Sequence, residues 1–121
     1  MADANRSVHP NALPNHENAA LPREKLEKYV LDPTNPVGKN KATVFKSALG
    51  FDQSNWEELA ITIIEQLPYH EAVLGRKDGY GQRYNVTMPI TGPNGKTADV
   101  LTAWIIDTGQ DDPRFVTAYL E

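Results

Sequence analysis

The sequence contains no cysteine. That single absence excludes disulfides, thiolate nucleophiles and cysteine-ligated zinc or iron–sulfur centres, and it leaves any chemistry to oxygen, nitrogen and carboxylate groups. There is also no run of about 18 apolar residues and no charged-then-apolar leader, so the chain reads as soluble, with neither a membrane span nor a secretory signal. Positive charge is in short supply: 12 Lys and Arg stand against 16 Asp and Glu, a formal net charge of −4. Proteins that grip nucleic acid are usually basic enough to displace counterions from the phosphates. Such a role would therefore need a local patch. Lys39, Lys41 and Lys46 form one basic group and Arg76, Lys77 and Arg83 a second, while the acids gather at Glu57, Glu58 and Glu65 and at Asp107, Asp111 and Asp112.

Conventional site motifs are missing too. The glycines of Gly79 to Gly81 lack the third glycine, the following helix and the lysine–serine ending that cradle a phosphate, which excludes nucleotide binding. His9 and His16 have no ordered third ligand, and His70-Glu71 has no metal-ligand spacing, so no metal or other cofactor is expected. Adjacent carboxylates at Glu57-Glu58 and Asp111-Asp112 do not face one substrate and read as solvated charge.

What is present is one core's worth of apolar residues, 40% of 121, too few for two ordinary domains. Residues 1–20 are polar and aperiodic and read as a flexible leader or linker remnant ahead of a single domain over 21–121. Leu21-Pro22 opens a helix carrying Leu26, Tyr29 and Val30 on one stripe, and Pro33 and Pro36 end it. A second helix runs from Gly38 or Lys39 to Leu49, with Phe45, Ala48 and Leu49 inward and Gly50 as its stop. The third has the strongest signal, a capping box at Ser54 to Glu57 followed by Trp56, Leu59, Ala60, Ile63, Ile64 and Leu67 at helical spacing.

From Tyr69 the period changes to two. Tyr69 to Leu74 reads as an edge strand, and Gly75 to Gly81 as a mobile loop. Tyr84, Val86, Met88 and Ile90 then alternate with polar residues, Gly92-Pro93-Asn94-Gly95 turns the chain, and Thr97 to Ile106 returns with both faces largely apolar, as a central strand does. Arg114 to Leu120 is the last strand, with Phe115, Thr117 and Tyr119 on one face and Val116, Ala118 and Leu120 on the other. Helices followed by a sheet indicate an α+β fold: N-terminal helices packed on one face of an antiparallel sheet of about four strands.

The groups left for chemistry are basic and hydroxyl-bearing: Lys41, Arg83, Thr117 and Tyr119, with Trp104 as a platform for a base or sugar. RNA cleavage needs its 2′-hydroxyl activated, its pentavalent phosphate stabilised and its 5′-oxygen protonated; cations supply the second, and His, Glu, Lys or Tyr the others. No metal is required for that chemistry. Residues chosen this way can equally be ordinary strand residues and a solvated helix face.

The segments GKNKATVFKSALGF at Gly38 to Phe51, YGQRY at Tyr80 to Tyr84 and GPNGKTADVLTAWIIDTGQDDPRFVTAYLE at Gly92 to Glu121 resemble a domain family at the C-terminal tips of bacterial polymorphic toxins, including contact-dependent inhibition and Rhs-type effectors. Toxin tips of this size ending in a strand such as RFVTAY look like the barnase, EndoU, colicin and RelE group of ribonucleases, many of which cleave transfer RNA. The resemblance singles out Gly38, Lys41, Tyr80, Gly81, Arg83, Trp104, Thr117 and Tyr119. Where the family pattern has a histidine before the glycine–lysine motif, this chain has Asn35-Pro36. The resulting expectation is a metal-independent ribonuclease toxin domain, cofactor-free, acting on transfer RNA. Lys41, Arg83, Thr117 and Tyr119 are its catalytic residues, and Lys39, Tyr80 and Trp104 bind substrate. The implied partners are the RNA, a cognate immunity protein and, as a further candidate, a translation factor such as an elongation factor. Delivery from the producing bacterium within a larger effector, and action in the target-cell cytoplasm, follow from the same resemblance. A non-enzymatic binding, adaptor or translocation module of a larger secreted protein is the alternative.

Overall fold

A computed structural model describes residues 7–36 and 39–121. Among them the chain forms α1 (Arg23–Lys25), which continues as a π-helical turn over Leu26–Val30, then α2 (Lys39–Leu49), α3 (Trp56–Gln66) and strands β1 (Ala72–Asp78), β2 (Gly81–Thr91), β3 (Thr97–Asp107) and β4 (Arg114–Leu120). The strands pair antiparallel in chain order, β1-β2-β3-β4. This is the expected α+β architecture.

Alternation on β2 places Val86, Met88 and Ile90 in the core, where they meet Val100 and Trp104 of β3 and Phe115 and Ala118 of β4. Leu26, Val30, Phe45, Leu49, Leu59, Ile63 and Leu67 close that core from the helical side. Among the described residues, the other sheet face carries no helix from the core cluster. Two aromatic and aliphatic positions on the expected helical stripes, Tyr29 and Ile64, are instead exposed.

Local chemistry sets the joints. Gly50 ends α2 at φ +84°, the left-handed conformation that glycine adopts without a Cβ penalty. The β2–β3 turn packs under that end: a Cβ on Gly92 would collide with the Leu49 carbonyl, and Asn94 Nδ2 donates to the Ala48 carbonyl at 3.1 Å. The capping box stands two residues earlier than expected. Asp52 accepts from the Ser54 N–H at 2.9 Å while Asn55 Oδ1 accepts from the Asp52 N–H at 2.8 Å, opening a short 3-10 turn that leads into α3.

Three expectations change. The loop placed at Gly75 to Gly81 is strand as far as Asp78, because Lys77 and Asp78 pair with Gln82 and Gly81 across a register shift after Leu74. In β4 a bulge between the pairs Ala103↔Thr117 and Trp104↔Phe115 leaves Val116 without a partner. Phe115 therefore joins Ala118 and Leu120 on the core side, and Thr117 and Tyr119 keep to the other face. Finally, residues 9–20 are tied into the fold and do not behave as a loose leader. The His9 N–H donates to the Pro68 carbonyl, the Ala72 N–H to Asn11 and the Phe115 N–H to Ala20, all at 2.8–2.9 Å, and Leu13 is 1% exposed. A single buried leucine between prolines has no period to betray it.

Leu13→Ala should cost about 2–5 kcal/mol in a urea melt, the range for truncating a buried leucine. A leader without contacts would lose nothing.

Candidate functional site

The helix-free face is built by the odd-numbered residues of β2 and β3 and, past the bulge, of β4. Across it the register rows are Arg83–Ile105–Arg114, Asn85–Ala103–Thr117 and Thr87–Leu101–Tyr119. Ile105, although on this face, is 1% exposed between its two arginine neighbours. β4 is an edge strand, and α2 packs beside it with Phe45 and Leu49 in the core. Lys41, in the first turn of α2 and spaced i, i+4 and i+8 with Phe45 and Leu49, stands at the outer end of that stripe, beside the edge. Its Nζ donates to Thr117 Oγ1 at 3.2 Å and stands 5.6 Å from the centroid of the Tyr119 ring. The Lys41–Thr117 contact is half-buried, whereas Tyr119 is 39% exposed.

Three of the expected site residues, Lys41, Thr117 and Tyr119, are thus brought into one cluster from positions 76 residues apart. Arg83 lies on the same face two strands away, its Cα roughly 12 Å from that of Thr117 by strand and residue spacing. Its Nε is buried and has no hydrogen-bond partner among the described residues. Donors left this way are uncommon in folded proteins. Tyr80 sits in the β1–β2 turn with its side chain 76% exposed, beyond the Arg83 row.

Trp104 does not belong to the site. It is 0% exposed on the core side, its Nε1 donates to Thr102 Oγ1 at 2.8 Å, and its ring meets Phe115 edge-on at 5.4 Å. A ring so enclosed cannot stack on a base. The parity of β3 requires this, since Trp104 alternates with Ala103, the neighbour of Thr117. The side chain of Lys39 and all of Gly38 lie outside the described residues. Among the described residues, no three His, Asp or Glu are grouped to hold a metal ion, and no helix is long and apolar enough to cross a membrane.

Two further residues complete the face. Asp107 receives Arg114 in a two-pronged pair, Nε to Oδ2 at 2.6 Å and Nη2 to Oδ1 at 3.0 Å, which closes the β3–β4 turn. Glu121 continues the β4 pairing, its N–H donating to the Asp99 carbonyl at 3.0 Å, while its carboxylate accepts from Thr87 Oγ1 on β2. The sequence passed over Glu121, although it shares the parity of Thr117 and Tyr119.

The profile of a domain of unknown function, DUF6883, matches residues 12–121. The chain belongs to that family. No curated protein matches this DUF6883 domain. Among solved structures it is similar to a chain of a contact-dependent growth inhibition toxin–immunity protein complex from Klebsiella pneumoniae 342, with a TM-score of 0.61 and 16% identity over 84% of this chain and 99% of that one. At that identity the likeness is one of fold.

The Arg114 hydrogen bond, reinforced by its charge and opposed by partial burial, holds the Asp107 carboxyl below the usual aspartate range. A depressed folded pKa means that the pair's stabilisation is complete above the unfolded value of about 3.9 and is lost as pH falls through the folded value. Asp107→Asn should therefore lower the melting temperature at neutral pH and flatten its decline between about pH 5 and 2. Asp78, Asp52 and Asp32 are also held low, so the flattening should be partial.

Proposed function

We propose that this domain is an antibacterial toxin tip that cleaves RNA, most specifically transfer RNA, without a metal ion. The observation that carries the proposal is the Lys41–Thr117–Tyr119 cluster, an ammonium and two hydroxyls gathered on the open face of a sheet whose opposite face is fully occupied by the core. A phosphodiester passing through a pentavalent state gathers negative charge on its oxygens. Fixed cations and hydroxyl donors aimed at that charge lower the barrier. Lys41 is the nearest such cation, the Thr117 hydroxyl is in hydrogen-bond contact with it and the Tyr119 ring stands beside it, and Arg83 adds a second cation on the same face, suited to a flanking phosphate.

The fold neighbour comes from a complex of a contact-dependent growth inhibition toxin with its immunity protein, which supports a toxin-related role. On this reading the domain is delivered from the producing bacterium as part of a larger effector. It acts in the target-cell cytoplasm, and a dedicated immunity protein covers the site in the producer. A translation factor of the target cell is a candidate auxiliary partner. Acidic balance, a net charge of −4, favours one other reading, a non-enzymatic binding module. Cytosolic expression without an immunity protein separates the two. A ribonuclease arrests growth and leaves discrete fragments in the transfer RNA range of a total-RNA gel; a binding module is tolerated.

Thr117→Val and Tyr119→Phe each remove one hydroxyl at nearly constant volume and strand preference. Each should leave the melting temperature nearly unchanged and lower turnover by roughly two to four orders of magnitude, and Lys41→Met should do the same. Hydroxyls that only supported the fold would show the reverse, a lower melting temperature and an unchanged rate. Cleavage by the purified domain should persist in EDTA. Complete loss there, restored by magnesium or zinc, would contradict the metal-free mechanism.

A further inference from the structure

Resting on the ribonuclease reading, we infer that Glu121 is the general base of the reaction and that Thr87 holds its carboxylate in place. Acid–base cleavage of RNA requires two proton-handling groups on opposite sides of phosphorus, because the attacking and leaving oxygens lie in line. The Lys41–Thr117–Tyr119 cluster supplies donors, and none of its side chains is a carboxylate or imidazole. Glu121 is the next outward-facing residue after Tyr119. On strand spacing its Cα stands about 7 Å beyond that of Tyr119, on the side away from Thr117.

The hydrogen bond to Thr87 gives its position. Thr87 is outward-facing on β2 and pairs with Leu101, which pairs in turn with Tyr119. A carboxylate anchored from β4 that accepts from Thr87 Oγ1 must lie across β3, on the helix-free face and next to the Tyr119 row. Lys41 stands over the Tyr119 ring and Glu121 follows on the other side, so a phosphate over Tyr119 would have the cation at one flank and the carboxylate at the other.

The step balances within the protein and one RNA strand. Glu121 takes the proton of the 2′-hydroxyl and the 2′-oxygen forms a bond to phosphorus. The bond from phosphorus to the 5′-oxygen then breaks, and that oxygen receives a proton from the Tyr119 hydroxyl or the Lys41 ammonium. The products are a 2′,3′-cyclic phosphate and a 5′-hydroxyl end, with no metal, water or redox partner consumed.

Glu121→Gln keeps an oxygen that accepts from Thr87 and removes the ability to take a proton. With purified full-length chain and bulk transfer RNA, turnover should fall by roughly 10²- to 10⁴-fold, RNA binding and melting temperature should hold, and the acid limb of the pH–rate profile should disappear. Thr87→Val, which only frees the carboxylate, should lose roughly 10- to 100-fold, and Thr87→Ser should restore the rate. Asp99→Asn neutralises the neighbouring carboxylate, which stands in the Glu121 row on β3, and should retain wild-type turnover. Mass spectrometry should find the cyclic phosphate end. Wild-type turnover with an intact acid limb in Glu121→Gln, alongside an inactive Lys41→Met, would overturn the role of Glu121 and leave the ribonuclease reading standing. Absence of cleavage by the wild-type chain would overturn both.

Discussion

Val116 stands without a partner in the β3–β4 ladder, and the division of labour between the two sheet faces depends on it. A β4 strand in unbroken alternation would put Phe115 on the same face as Thr117 and Tyr119. The ring that meets Trp104 edge-on would then be exposed, or the two hydroxyls would be driven into the core. One inserted residue resolves the conflict by shifting parity once, so that Phe115, Ala118 and Leu120 face inward while Thr117 and Tyr119 stay out. Bulges recur next to functional sites for this reason, since they re-aim side chains without breaking the strand.

The inward face is held as firmly as the outward one is left open. Trp104 Nε1 donates to Thr102 Oγ1, which donates to the Val86 carbonyl at 2.8 Å, so both polar groups of a fully buried pair are satisfied. Together with the edge-on Phe115 ring, this chain locks β2, β3 and β4 at the height of the Lys41 cluster. Side chains placed on such strands are held in their geometry by the core beneath them, which a loop could not provide. α2 supplies the rest. Its buried stripe anchors Phe45 and Leu49, its C-terminal end rests on the Gly92 turn, and Lys41 is thereby carried to the open edge of β4.

Much of this was legible in the sequence. Alternation along Tyr84 to Ile90, the Gly92 to Gly95 turn and the spacing of Trp56 to Leu67 are strong local signals, and together they imply helices on one face of an antiparallel sheet. The grouping of Lys41 with Thr117 and Tyr119 was also within reach, because cations and hydroxyls were the chemistry left once cysteine and metal spacing were absent. What escaped has a common cause: it depends on partners distant in the chain. The Val116 bulge has no marker residue, Trp104 lies on a strand apolar on both faces, and Leu13 is one leucine in a polar stretch. Glu121 gains meaning only when Thr87 is seen across β3.

The central claim is that RNA lies on the helix-free face, against the edge from which Lys41 projects. Chemical-shift mapping of the Lys41→Met chain, in which cleavage should be abolished, with transfer RNA tests it most directly. The expected result is a contiguous set of perturbed signals from Arg83, Thr87, Leu101, Ala103, Thr117 and Tyr119, with Val86, Trp104 and Ile63 unmoved. Perturbations confined to the groove lined by Leu31, Ala42, Lys46 and Ser54 on the helical side, or none at saturating RNA, would contradict it.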